Sequence, residues 1–128
     1  MRSINQYINE KLKIRKSNKP SYQYFPKSKK ELRDILKQLI EERGYDGDFN
    51  DIDTSKIEDM SELFIDMKKF NGNISNWDVS SVTDMSYMFY DCESFNQDLS
   101  GWDVSNVRQK DHMFYICPIK NEYKPKFK

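Results

Sequence analysis

From residue 48 onward, apolar and polar positions recur at a spacing of 25: Phe64, Phe89 and Phe114; Ile57, Val82 and Val107; Asp53, Asp78 and Asp103; Ser55, Ser80 and Ser105. A period of this size marks an architecture of stacked repeats. Within the middle copy, Trp77 and Val79 alternate with Asp78 and Ser80, the two-residue period of a short strand with one face buried. Met85, Met88, Phe89 and Cys92 then follow i, i+3, i+4, i+7, the stripe of a short amphipathic helix whose first turn would hold Thr83 and Asp84. Each rung is therefore expected to be strand, helix and return. One such rung cannot bury its own stripe, so the pattern predicts an α/β repeat, a short solenoid of about three 25-residue strand–helix rungs. The upstream copy carries Ile52 at the Trp position and Met60, Leu63, Phe64 and Met67 on its stripe. In the last copy Lys110 stands where Met60 and Met85 stand before, which marks it as the terminal rung.

Outside the repeats the pattern changes. Ser28 followed by Glu31 is a capping box, and Leu32, Ile35, Leu36, Leu39 and Ile40 form a stripe that runs to Gly44, so a capping helix is predicted over about 29–43. Ile4, Tyr7, Ile8, Leu12 and Ile14 predict a further helix or arm, and Pro20 and Pro26 bias the intervening stretch toward extended backbone. The chain divides into a basic N-terminal arm and capping helix (1–47), the repeat solenoid (48–117) and a basic C-terminal capping tail (118–128).

Charge follows this division. The formal net charge of the 128 residues is zero, yet residues 1–43 hold 12 Lys/Arg against 5 Asp/Glu, residues 44–117 hold 5 against 15, and residues 118–128 hold 4 against 1. A basic head on an acidic body either steers charged partners or docks the ends onto the middle. The opening residues contain no apolar run of signal-peptide length, and no stretch approaches the roughly 20 apolar residues of a membrane span. The expected location is the cytoplasm, or a phage or other assembly. Cys92 and Cys117 occupy equivalent positions one repeat apart. Adjacent rungs would bring them near disulfide range, but each ends an apolar stripe as Met67 does, the place of a reduced structural thiol.

The run FNQDLSGWDVSNV followed by MF, with its near copy FNGNISNWDVSSVTDMSYMF, closely resembles the repeat of the BspA-like leucine-rich-repeat surface proteins, also known as the mycoplasma lipoprotein-type repeat of unknown function. The resemblance covers residues 48–117. It implies a leucine-rich-repeat-like solenoid presenting a short-stranded sheet, and members associated with surface adhesion and protein binding. The plan of a PKSKKEL helix before the repeats and an EYKPKF tail after them also looks like small proteins of phages and mobile elements of gut Bacteroidetes.

Little in the chain is suited to catalysis. His112, the single histidine, shares its repeat position with Tyr87 and Glu62, an outward place. No Cys/His cluster, phosphate loop or nucleophile elbow is present, so no enzyme activity, no catalytic residue, no metal and no cofactor are expected. The constellation with chemical content is the ladder of Asp53, Asp78 and Asp103 with Ser55, Ser80 and Ser105 on the exposed strand face. Its carboxylates could accept hydrogen bonds from their own loops, meet a basic partner, or hold a hard cation. The favoured function is non-enzymatic protein–protein interaction through this face, with a partner whose identity the sequence does not give. The alternative is an accessory component of a phage or other assembly, docked through the basic arm at Lys11, Lys13, Arg15 and Lys16. Those cations, interleaved with aromatics, could also track nucleic acid, but the acidic body and the lack of any nucleic-acid module disfavour that.

Overall fold

The computed structural model describes residues 21–127. Helix α1 spans Lys29–Arg43, where the capping box and the leucine stripe predict a helix. Ser28, in extended backbone, accepts the amide of Glu31 at 3.2 Å, and the Glu31 carboxylate accepts the amide of Lys27 at 3.2 Å. One orphan donor of the first turn is thereby satisfied, together with the amide just before the cap. At the exit, Gly44 takes φ +85° and donates its amide to the Ile40 carbonyl at 2.8 Å, a conformation open mainly to glycine. Leu32, Leu36 and Leu39 are fully buried in the same cluster as the apolar side chains of the repeats, each contributing about 2 kcal/mol through burial.

The strand–helix solenoid expected of the repeats is overturned. Among the described residues α1 is the only α-helix and there is no strand or sheet; a short 3-10 turn lies at Asn121–Tyr123, and parallel pairing is confined to isolated bridges such as Asp59 with Asp84 and Asp84 with Gln109. The repeats are built from turns. The physical reason is the distance between copies. Phe64 stacks on Phe89 at 5.3 Å and Phe89 on Phe114 at 5.5 Å, whereas packed helices need about 8–10 Å between axes. Layers this close leave no room for a helix in each copy.

The stripe residues are buried by a different backbone. The amides of Met60, Glu62, Phe64 and Asp66 donate at 2.9 Å to the carbonyls of Asp84, Ser86, Met88 and Tyr90. Those of Met85, Tyr87, Phe89 and Asp91 donate to Gln109, Asp111, Met113 and Tyr115 at 2.8–2.9 Å. In between, Leu63, Ile65 and Met67 close local turns onto Met60, Glu62 and Phe64 at 3.0–3.2 Å. Alternate amides thus serve the next copy and the local turn. The bends fall at Glu62 and Asp66, Tyr87 and Asp91, and His112 and Ile116, all with φ between 55° and 62°. A non-glycine residue there costs about 1–2 kcal/mol, which the ladder and the buried stripe offset. Asp84 caps no helix; its carboxylate accepts the Ser86 amide at 2.9 Å.

Nor does the Trp77–Ser80 stretch form a strand. Trp77 donates its amide to Ile74 at 3.1 Å, Val82 donates to Val79 at 3.0 Å, and the Ser80 amide turns onto the Asp78 carboxylate at 3.0 Å. The two-residue alternation survives as burial, with Trp77 and Val79 inside and Asp78 outside. Both indoles lie in the core and hydrogen-bond to the preceding copy, Trp77 Nε1 to the Phe49 carbonyl at 2.9 Å and Trp102 Nε1 to that of Ile74 at 3.1 Å. Phenylalanines fill the centre: Phe64 on Phe70 and Phe89 on Phe95, both at 4.3 Å. Asn71 and Asn96 link copies through their side chains, accepting the amides of Asn96 and Lys120 at 2.9 and 3.0 Å. The tail then runs back over the last copy, where the Tyr123 carbonyl accepts the Leu99 amide at 2.8 Å and Ile119 and Pro125 are buried.

Candidate functional site

Asp53, Asp78 and Asp103 each accept the amide of the serine two residues on, at 3.0, 3.0 and 3.1 Å, and Ser80 and Ser105 add their hydroxyls at 2.6 Å. This is the Asx turn, in which a short carboxylate replaces a backbone acceptor. The same solution recurs at Asp59 with Ser61 and Asp98 with Ser100. At Asp98 the Ser100 hydroxyl and amide hold the carboxyl below the usual carboxylate range. The aspartates therefore shape the chain locally, on turns and not on a strand face.

That face is also crowded at one end. Gln23 donates its amide to the Asp51 carbonyl at 2.8 Å and Asp53 donates to that of Tyr24 at 2.8 Å, so the segment before α1 lies along the first copy. Burial, followed by the charges of Asp53 and Asp78, pushes the Tyr22 phenol above its ordinary value. Beside the serines runs an open polar groove of about 560 Å³, with Lys56, Glu58, Thr83 and Arg108 in its walls. Among the described residues no group of three or more His, Cys, Asp or Glu side chains is placed to hold a metal ion. Lys11, Lys13, Arg15 and Lys16, with the helix or arm expected at 4–14, lie outside the described residues.

The structure brings together a surface that the sequence reading passed over. The left-handed bends turn Tyr87 and His112 outward, and their rings stack at 5.2 Å, 11° from parallel. Tyr90 stacks on Tyr115 at 5.5 Å, Tyr87 leans on Tyr90 at 5.5 Å, and His112 meets Tyr115 edge-on at 5.6 Å. Four rings form one corner. Tyr115 and the adjoining Ile116 are each 54% exposed. In the first copy Glu62 and Ile65 occupy the equivalent places, and Arg33 of α1 donates to the Glu62 carbonyl there at 3.3 Å. The readable signal was the aromatic character shared by Tyr87 with His112 and by Tyr90 with Tyr115, each pair one period apart.

Neither cysteine is activated. Cys92 is buried with its thiol pushed up to about 12 by burial, and Sγ donates to the Phe64 carbonyl at 3.0 Å. Cys117 is a half-buried free thiol whose pKa burial also raises. Between α1 and the first copy, Ile40, Tyr45 and Met67 line a further groove of about 490 Å³. At its edge Lys68 bridges to Asp91 at 2.6 Å and Glu93 at 2.7 Å in the next copy. No helix among the described residues is long and apolar enough to cross a membrane.

Residues 32–124 match the model of a family described as Mycoplasma protein of unknown function, DUF285. No curated protein and no solved structure matches the chain.

Proposed function

The chain belongs to the family of mycoplasma proteins of unknown function, DUF285, and from that premise we propose that it is a non-enzymatic protein-binding module whose contact surface is the aromatic corner of Tyr87, Tyr90, His112 and Tyr115. The observation that carries this reading is the exposed ring stack, with Tyr115 and Ile116 open to solvent at 54%. An exposed cluster of large apolar groups marks an interaction surface. Tyrosine suits such a surface because it offers a broad rigid contact and a polar tip at small entropic cost. The aspartate ladder is a weaker candidate, since its carboxylates are engaged in their own turns. The BspA-like character of the repeat, with its association with adhesion and protein binding, points the same way.

The test is capture from the native host's lysate by four forms: the intact chain, Tyr87→Ser/Tyr115→Ser, Asp53→Ala/Asp78→Ala/Asp103→Ala, and a form lacking residues 1–20. A protein retained by all but the tyrosine variant supports the corner. Loss with the aspartate variant alone returns the function to the ladder. Loss with the deletion alone moves it to the basic arm and to the assembly role.

A further inference from the structure

Along residues 60–66 and 85–91 the hydrogen bonds between copies run one way, whereas outside these stretches Thr83 donates back to Glu58 and Arg108 back to Thr83. Amides of one copy donate to carbonyls of the next along the chain, at Met60, Glu62, Phe64 and Asp66 and again at Met85, Tyr87, Phe89 and Asp91. The equivalent amides of the last copy are Lys110, His112, Phe114 and Ile116. His112 and Ile116 share the φ of about 55° seen at Tyr87 and Asp91, so the backbone aims these amides the same way. They have no acceptor among the described residues, whereas Met113, Tyr115 and Cys117 between them close their local turns at 3.2–3.3 Å. The stack ends in a row of donors.

Lys110, His112 and Phe114 of that row line a groove of about 400 Å³ with Lys124, Pro125 and Phe127 of the tail, and Ile116 continues the row beyond this lining. Positive charge is held at the groove: Lys110 Nζ sits 5.4 Å from the centre of the Phe127 ring and Lys124 Nζ 5.5 Å from that of Phe114. Cation–π contacts of this kind fix an ammonium without neutralising it. Asp111 is the one carboxylate in the groove's lining, against Lys110 and Lys124. A row of amides aimed one way also carries the positive end of its peptide dipoles outward and favours anions.

We infer that this end of the stack is a docking groove for an acidic peptide segment of a partner protein, whose carbonyls take the amides of Lys110, His112, Phe114 and Ile116 and whose carboxylates meet Lys110 and Lys124. Backbone pairing supplies the affinity and the lysines select the charge, as when a segment is added to an open edge. A second copy of this chain does not fit the role, because α1 lies against the first copy and covers the end that would have to supply the carbonyls. The sequence of residues 1–20, with six Lys/Arg against one Glu, lacks the acidic character these lysines select. The inference is independent of the aromatic corner.

The experiment follows the amides of the full chain by proton–nitrogen correlation spectroscopy during titration with a hexaglutamate peptide, a hexalysine peptide and inorganic phosphate. Hexaglutamate should shift the amides of Lys110, His112, Phe114 and Ile116 downfield to saturation, with Met85, Tyr87, Phe89 and Asp91 unmoved and hexalysine without effect. Lys110→Glu/Lys124→Glu should weaken that binding by about tenfold or more, with the spectrum otherwise retained. Before any ligand is added, the four terminal amides should exchange with deuterium far faster than their counterparts in the middle copy. Slow exchange at the four positions, an unshifted row under hexaglutamate, or equal saturation by phosphate alone each overturns the inference, the last by reducing the groove to a site for small anions.

Discussion

Replacing Phe89 with alanine tests the stacked-turn architecture at its centre. The side chain is fully buried and its ring meets Phe95 at 4.3 Å, Phe64 at 5.3 Å, Phe114 at 5.5 Å and Trp102 at 6.4 Å. Truncating a buried Phe costs about 3–5 kcal/mol through lost transfer energy and the cavity left behind. Close ring pairs add about 0.5–1.5 kcal/mol each beyond area, so the upper half of the range, about 4–5 kcal/mol, is expected. Phe114 holds the same repeat position but is only half-buried, with its outer side on the tail, and its alanine variant should cost about half as much. Urea unfolding followed by tryptophan fluorescence measures both. A loss of 4–5 kcal/mol is a large share of the roughly 5–15 kcal/mol of a small domain. Phe89→Leu, expected to cost about 1–2 kcal/mol, therefore keeps the comparison readable if the alanine form fails to fold. Equal losses at positions 89 and 114, or a loss below about 1 kcal/mol at 89, would refute the stacked core.

Three further outcomes follow from local geometry. A methyl group at Gly72 would lie 2.4 Å from the Phe49 ring and 2.8 Å from that of Phe70; Gly72→Ala should destabilise by about 1–3 kcal/mol in the same urea assay. At Asp59 burial raises the carboxyl pKa, but the Ser61 hydroxyl and amide and Lys29 outweigh it and leave it below its ordinary value of 3.8. Its stabilising contribution is therefore complete above about pH 4 and is lost as pH falls further, so acid unfolding of Asp59→Asn should begin from a lower plateau and show a shallower decline below that pH. The Cys92 thiol at about 12 holds almost no thiolate at pH 8; a disulfide reagent should leave it unmodified in the native protein and label it in 8 M urea (roughly full denaturation), and native labelling at a rate near that of a free thiol would contradict the burial.

Much of the interior was legible in the sequence. The period placed Phe64, Phe89 and Phe114 in one stack, and Ser28, Glu31 and Gly44 bounded α1. Secondary structure inside the repeats was not. Periodicity reports which side chains are buried, and Met85, Met88, Phe89 and Cys92 are all buried as the stripe requires. It does not report the backbone that buries them. The deciding quantity was the layer spacing of about 5 Å, which favours turns over helices. Half of the left-handed bends gave no warning, because Glu62, Tyr87 and Ile116 stand where glycine or asparagine would have announced them, whereas Asp66, Asp91 and His112 are residue types more often found there. At the surface, the two-residue interval of Asp78 and Ser80 already contained the Asx turn. Tyr87 and Tyr90, three apart, meet across a bend, as they would have on one helix face, so this part of the aromatic corner was legible under either backbone.

The alternation of amides between neighbouring copies also constrains how such a chain can change length. Lys68 reaches Asp91 and Glu93, Asn71 accepts from Asn96, and Trp102 reaches back to Ile74, every one a bond that counts residues. An insertion of a whole unit leaves each of these donors facing an equivalent acceptor. An insertion of a few residues inside a copy shifts the amides and the side-chain links on its far side out of step together. Descendants of this sequence should therefore differ in length by whole copies, and gene duplication, rather than point insertion, is the route by which the stack can lengthen.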